Sequence, residues 1–348
     1  MELRVFSPPP ILKLLGVIDD FISLIWIRKY FEPGSFELSV PMTDKNISLL
    51  MPGNIIHKNN GIDAGVIEIV ENTENTEMQT AIRAGRFIES YFDRRLIKST
   101  FNYQGLAEMA MHGLVSYVEP LPSVVLGDLQ GFNEAITFQA TMKNLCTTLT
   151  KIAKRSLIGY RLKPDFSKRS LLFETYKGVD RTAAQGVHDR VIFSDNYQNL
   201  NNAIYKYNDQ LLRTVVIVGG QGDGPNREYV KIGNESGLAL RELFVDAKDI
   251  NPDELTHQQY VEALQQRGYE ALSQNIIFTN IETEIVPNVN FIYKKHYDLG
   301  DIVTVIKKSW GLCLNQRIIE ISEIYQESGL FIVPTLGDPL PEKLNMED

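Results

Sequence analysis

Short apolar runs separated by turn signals make up most of this chain, and the clearest set lies near its end. Between residues 297 and 337, Ile302-Val303-Thr304-Val305-Ile306 follows Gly300-Asp301, Arg317 to Ile324 follows Trp310-Gly311, and Leu330-Phe331-Ile332-Val333 follows Ser328-Gly329. β-Branched runs of this length between glycine-containing turns predict an antiparallel meander. The first 90 residues have the same texture. Strands are expected on either side of Asp19-Asp20, with Phe21, Ser23, Ile25 and Ile27 alternating with Ile22, Leu24, Trp26 and Arg28. That pattern reads as a strand buried on both sides at its start. Phe36–Val40 alternates at period two after the Glu32-Pro33-Gly34-Ser35 turn, and Asn46–Leu50 reads as one helical turn. Ile55–His57, an Asn59-Asn60-Gly61 turn, Gly65–Val70 and Met78–Ala84 complete a small all-β unit.

The middle of the chain is mixed. Gly85–Phe92 reads as a strand, whereas Leu106, Met109, Ala110 and Leu114, and again Leu145, Leu149 and Ile152, fall at helical spacing. Gly113 is a candidate interruption of the first helix. Strands are expected at Ser156–Arg161, Leu171–Tyr176 and Val215–Val218, with a polar loop over Lys177–Arg190. Asn251-Pro252-Asp253-Glu254 has the cap, proline and acidic first turn of a helix start, and Gly268 is a candidate break. Ile276–Phe278 and Val289–Tyr293 lead into the meander. The expected organisation is therefore an N-terminal β unit at 1–95, a mixed α+β region at 96–275, a C-terminal meander at 276–337 and a flexible tail at 338–348.

Composition narrows the function classes. At 348 residues the chain has room for two or three cores, and its 43% hydrophobic and 23% charged content is that of a globular protein. A net charge of −9 argues against sequence-independent nucleic-acid binding, which needs a positive footprint. Cys146 and Cys313 have no CxxC or Cys/His neighbour, so a disulfide framework or zinc site is not expected. Met1–Pro10 does not read as a secretory signal, and Ile11–Ile27 is interrupted by Lys13, Asp19 and Asp20. Synthesis in the cytoplasm without a membrane segment is the expectation.

Candidate chemistry is sparse. Val215–Val218 running into Gly219-Gly220-Gln221-Gly222-Asp223-Gly224 invites a phosphate-binding reading. That mechanism needs a helix to open at the loop, yet Pro225-Asn226-Arg227 and an alternating Glu228–Ile232 follow, so a hairpin is the stronger reading. The five histidines, His57, His112, His188, His257 and His296, lack metal-ligand spacing. His188-Asp189 is the one acid–base pair worth naming, and a solvated loop outweighs it. Asp180, Asp189 and Asp223 lack calcium-loop alternation, and Ser156 and Ser170 lack a nucleophile-elbow context.

The order of segments resembles a known family. Gly16-Val17-Ile18-Asp19-Asp20-Phe21, Ile25–Tyr30 and Gly34–Leu38 are similar to the opening of the ReqiPepy-type siphophage tail proteins. Asp298–Val303, Arg317–Glu320 and Pro334-Thr335-Leu336-Gly337 are similar to its end. The resemblance implies a phage baseplate hub with two small β-barrel domains and intervening α/β domains. It implies a homotrimer whose six barrels form a pseudo-sixfold ring, joining the tail tube to the central spike or tip. Expected partners are the distal tail and tail-tube proteins, the tape-measure protein and a spike or fibre protein. No cofactor, metal or catalytic residue is implied, and the location is the virion tail. Because only eleven residues follow Gly337, spike or cell-wall-cleaving activity is expected on another polypeptide. An acidic lumen would let DNA pass without sticking. Two alternatives remain: a tail-tip carbohydrate-binding module using the Tyr/Asn-rich segment 197–208, and a peptidoglycan-cleaving enzyme.

Overall fold

The computed structural model describes residues 1–59, 61–74, 79–275, 277–285 and 290–337. Asn60, Met78, Ile276, Val289 and the 338–348 tail, all part of the sequence expectations, lie outside them. The chain packs as two compact units. One takes the chain to Tyr205 and resumes at Ile281, and the other is Lys206–Asn280.

The first unit opens on a strand, Leu3–Phe6, that lies outside the strands expected from the sequence. Leu14–Ile18, Leu3–Phe6, Ile55–Lys58 and Ala64–Val66 form a four-stranded antiparallel sheet in that order. The run Gly65–Val70 is not one strand. Ala64–Val66 pairs with Ile55–Lys58, whereas Ile69–Glu74 pairs with Gln79–Arg86 in a different sheet. Ile67 and Glu68 carry the chain between the two sheets, their amides donating to the carbonyls of Asn54 and Ala84. Leu3, Val5, Ile18, Leu24, Trp26, Leu38 and Ile56 fill the core, with the Trp26 ring 4.6 Å from that of Phe87. On strand Ser23–Lys29 one face, Leu24, Trp26 and Arg28, is buried and the other half-exposed, so burial on both sides at its start is not found. After Arg86 the expected extended segment Gly85–Phe92 coils into a 3₁₀ helix, Ile88–Arg94, because the Phe87 carbonyl captures the Ser90 amide.

The C-terminal meander forms as predicted: Ile302–Lys307, Leu312–Gln326 and Gly329–Gly337 are antiparallel neighbours. Its middle strand is fifteen residues long and serves two partners. Its first part pairs with Ile302–Lys307, and Glu320–Tyr325 pairs antiparallel with Lys29–Leu24. Strands from both chain ends therefore share one ten-stranded sheet instead of closing as two separate barrels. This ladder is open: its main path ends at Ile69–Glu74 on one side and Leu200–Asn208 on the other, and a branch through Ile302–Lys307 ends at Ile192–Ser194. No strand covers Asn290–Tyr293; a turn there is closed by a Tyr293–Tyr297 bridge.

Four α-helices lie among the described residues: Asp44–Leu49, Ala107–Tyr117, Leu145–Ser156 and His257–Gln274. Gly113 does not interrupt the second. The last begins five residues after the predicted start, because Asn251 caps only a 3₁₀ turn at Pro252–Glu254 and Leu255 is extended. Thr256 and Gln259 form a reciprocal capping box that fixes the true N-terminus. Gly268 sits inside this helix, where a Cβ would come within 2.5 Å of Ile232. It allows close approach to the sheet and does not break the helix. That sheet, in the second unit, has Val215–Gly219 between Tyr229–Ile232 and Glu242–Asp246.

Three glycines distant in sequence converge on the buried Tyr30. A Cβ on Gly159 or Gly300 would lie 2.6 or 2.4 Å from its ring. Its hydroxyl lies 3.2 Å from the carbonyls of Leu157 and Tyr176 and accepts from the Gly178 amide. Gly178 in turn packs flat on Gly300, where a Cβ would fall 1.9 Å from the Gly300 carbonyl carbon. Gly178→Ala is expected to cost about 3 kcal/mol, the upper range for overpacking. Gly186→Ala, with nothing within 4 Å, should stay within about 0.5 kcal/mol of the parent. Urea denaturation of both variants checks this, and equal losses would refute it.

Candidate functional site

The residues singled out by sequence stay apart. The glycine-rich loop is a hairpin between antiparallel strands Val215–Gly219 and Tyr229–Ile232. Its backbone is used internally: Arg227 donates to the carbonyls of Gly219 and Gly220, and the Gln221 amide donates to the Tyr260 hydroxyl. No α-helix opens there. His188 and Asp189 are both exposed, and the His188 backbone is held by Gln185. Cys146 is buried beside Tyr160, and Cys313 is exposed. Ser156 Oγ donates to the Ile152 carbonyl within its helix. Asp180 accepts from the Thr182 amide, and Asp223 pairs with Lys248. Among the described residues no group of three His, Cys, Asp or Glu side chains is placed to hold a metal. The 197–208 segment is largely the strand Leu200–Asn208, with Tyr197 and Tyr207 half-exposed.

What the structure does assemble is a buried ionic cluster that sequence reading missed. Arg28, on strand Ser23–Lys29, donates to Asp63 at 2.7 Å, Asp298 at 2.6 Å and the Tyr293 hydroxyl at 2.8 Å. Two positions earlier on the same buried face, Trp26 stands opposite Glu323. Glu323, only 1% exposed, accepts from Lys58, Tyr293 and Tyr325 and lies 3.2 Å from Lys294. Lys58 Nζ also lies 4.9 Å from the centre of the Trp26 ring. Period-two patterning assigns Arg28 and Glu323 to core-facing positions where a charge is unexpected. The signal that would have found them is the pair of opposite charges interrupting two apolar runs.

Charge states follow from these contacts. Burial opposes the Arg28 charge, yet Asp63, Tyr293 and Asp298 outweigh it and hold its pKa well above the usual value. Burial also opposes the Glu323 charge, but Lys58 and Lys294 together draw its pKa down to about 2. Lys58 bears the opposite balance: burial takes it down to about 8 despite Glu323. The carboxylate decides the sign at neutral pH, because two ammonium groups and two phenols converge on it while Lys58 remains protonated.

Two other carboxyls are buried away from this cluster. Glu108, in helix Ala107–Tyr117, accepts from the amides of Gln130, Gly131 and Phe132 and from Thr175 Oγ1. Burial opposes its charge, and these four donors lower its pKa. His112 Nε2 is 3.4 Å from Thr175 Oγ1, but the hydroxyl proton goes to Glu108 at 2.6 Å, so the trio anchors a loop. Glu89 accepts from the Leu162 amide through one oxygen, and its other oxygen has no partner among the described residues. Burial pushes its pKa up to about 8.

Comparison with known proteins supplies the context. A family model described as Siphovirus ReqiPepy6 Gp37-like protein matches residues 2–338. Three solved structures share the fold. The 43 kDa tail protein of prophage MuSo2 from Shewanella oneidensis is 12% identical, with a TM-score of 0.63 over 97% of this chain and 98% of its own. A tail protein from Neisseria meningitidis MC58 is 12% identical, with a TM-score of 0.63 and 97% of both chains covered. Prophage tail protein gp18 from Listeria monocytogenes EGD-e is 13% identical, with a TM-score of 0.59 over 99% and 97%. A search of curated proteins gives no significant match.

Two pH responses are expected. Since the folded pKa of Glu323 is depressed, its stabilisation is complete above the unfolded value near 4.5 and is lost as pH falls towards 2. Glu323→Gln should cost about 3–5 kcal/mol at pH 7 and flatten that acid limb in urea titrations. Glu89 has the opposite sign. Its raised pKa contributes stability below about 4.5 that is lost as pH rises through about 8. Glu89→Gln should therefore gain on the parent steadily across that window, and a parallel pH profile for the two would refute the assignment.

Proposed function

This chain belongs to the siphovirus ReqiPepy6 Gp37-like family of phage tail proteins, and from that premise we propose that it is a structural baseplate hub. In this reading three copies form a ring that joins the tail tube to the spike or tip. Its partners are the distal tail, tube and tape-measure proteins and a separate spike or fibre protein, at the base of the virion tail. Strands within 1–95 and 276–337 supply the ring, and the 96–275 stretch decorates it. The role is structural and not enzymatic.

The observation that carries this proposal is the open ten-stranded ladder. A sheet with open edges among the described residues presents rows of free backbone donors and acceptors, which proteins cover, blunt or pair with another chain. At one edge, Ile69–Glu74, Ile69 is 59% and Val70 40% exposed, which is a poor surface for a monomer to leave in water. Copies joined head to tail, each using two different edges, close as a ring when the rotation permits. The buried ionic cluster supports the same reading, because it stiffens the strands such a ring would need to hold in register.

Ring formation is measurable by light scattering and negative-stain microscopy of the purified protein, alone and with its tube and distal tail proteins. A trimer with threefold rings is expected. Ile69→Lys with Val70→Lys should reduce it to monomer while leaving the melting temperature of the monomer nearly unchanged. A wild-type protein that stays monomeric at micromolar concentration, even with both partners present, would overturn the hub reading.

A further inference from the structure

The second unit has a sheet with one face covered by a helix and, on the other, Val215 buried and two aromatic rings half-exposed. Helix His257–Gln274 packs on Val216, Val218 and Ile232 through Tyr260 and Leu264. Alternation then places Ile217, Gly219, Tyr229, Lys231, Phe244 and Asp246 on the opposite face. Tyr229 and Phe244 are 53% and 54% exposed there. Between them Gly219 has no side chain, and the guanidinium of Arg227 occupies the gap, 2.7 Å from where a Cβ would stand.

Arg227 is held rigidly. Its Nε donates to the Gly220 carbonyl at 2.8 Å, and its Nη2 donates to the Gly219 carbonyl at 2.8 Å and to Asp246 Oδ1 at 2.6 Å. Its guanidinium carbon lies 5.6 Å from the centre of the Tyr229 ring and 5.4 Å from that of Phe244. The side chain is only 10% exposed, yet Nη1 makes no hydrogen bond among the described residues. A nearly buried cationic donor with unused N–H groups, flanked by two half-exposed aromatic rings, is a built recognition feature.

We propose that this face is an oligosaccharide-binding platform. The apolar C–H face of a sugar ring stacks on Tyr229 and Phe244, a ring hydroxyl accepts from Arg227 Nη1, and another donates to Asp246 Oδ2. The charges on the face favour such a ligand over a polyanion or a strongly charged peptide, since Arg227 and Lys231 are balanced by Asp246 and Glu242. Because the arginine clamp already orders the rings, little side-chain entropy is lost on binding. The platform differs from the 197–208 segment, and its existence does not depend on ring assembly.

The test uses the full-length protein on an array of microbial polysaccharides, with saturation-transfer NMR against the N-acetylglucosamine tetramer. Binding to at least one glycan is expected, weakened roughly tenfold or more by Tyr229→Ala and by Phe244→Ala. Tyr197→Ala and Tyr207→Ala should leave it unchanged. In wild-type protein labelled with ¹⁵N, the Arg227 side-chain resonances should shift when that glycan is added, a readout independent of whether a variant folds. Silence across the array, or binding indifferent to both Tyr229 and Phe244, overturns the proposal. It is equally overturned if the two substitutions block only assembly with other tail proteins, which would make the face a protein interface.

Discussion

The first unit depends on a set of charges buried where a sheet protein ordinarily places apolar side chains. Arg28 and Glu323 sit on neighbouring strands that come from opposite ends of the sequence, and Lys58, Asp63, Tyr293, Lys294, Asp298 and Tyr325 complete the cluster around them. Replacing such a group with packed hydrophobes is often neutral or stabilising, so its presence argues little for net stability. What it does specify is register. A one-residue slip of Leu312–Gln326 against Ser23–Lys29 would turn Glu323 away from Lys58 and leave a buried ammonium unpaired. Breaking the pairing is therefore far costlier than never having had it.

The same cluster explains the segment before the meander. Its apolar residues read as one more strand, but Tyr293 and Asp298 are committed to Arg28, and the backbone between them turns to allow it. Tyr30, the next inward position after Arg28, repeats the principle with glycines: Gly159, Gly178 and Gly300 are small because the ring and a second backbone occupy their side-chain space. Rigid junctions of this kind suit a part that must hold its edges in a fixed frame for neighbours. The buried titratable groups here act as fasteners.

Local signals performed well where the interaction was local. Turn glycines placed the meander, and the spacing of Leu106 to Leu114 and Leu145 to Ile152 located two helices. The error at Asn251 was a competition between two good caps, which Thr256 won through its partnership with Gln259. In sequence, Gly268 looks like a helix break, because a glycine that breaks a helix and one that lets a helix approach a sheet are alike until the sheet is known. The glycine-rich loop is a hairpin, as its flanking residues imply, whereas Arg227 between Tyr229 and Phe244 leaves no trace in sequence because alternation across three strands brings it together.

By itself the sequence determined the texture of this protein: β-rich at both ends, mixed between, acidic, without a recognisable catalytic constellation, and similar in segment order to a tail-protein family. Those properties follow from side-chain periodicity and turn chemistry, which act over a few residues. Tertiary structure alone decided that Ser23–Lys29 and Leu312–Gln326, from opposite ends of the chain, are neighbours in one open sheet, because strand pairing obeys no rule of sequence distance. It alone buried Arg28 and Glu323, whose charges are tolerable inside only because Asp63 and Asp298 meet the one and Lys58 and Lys294 the other.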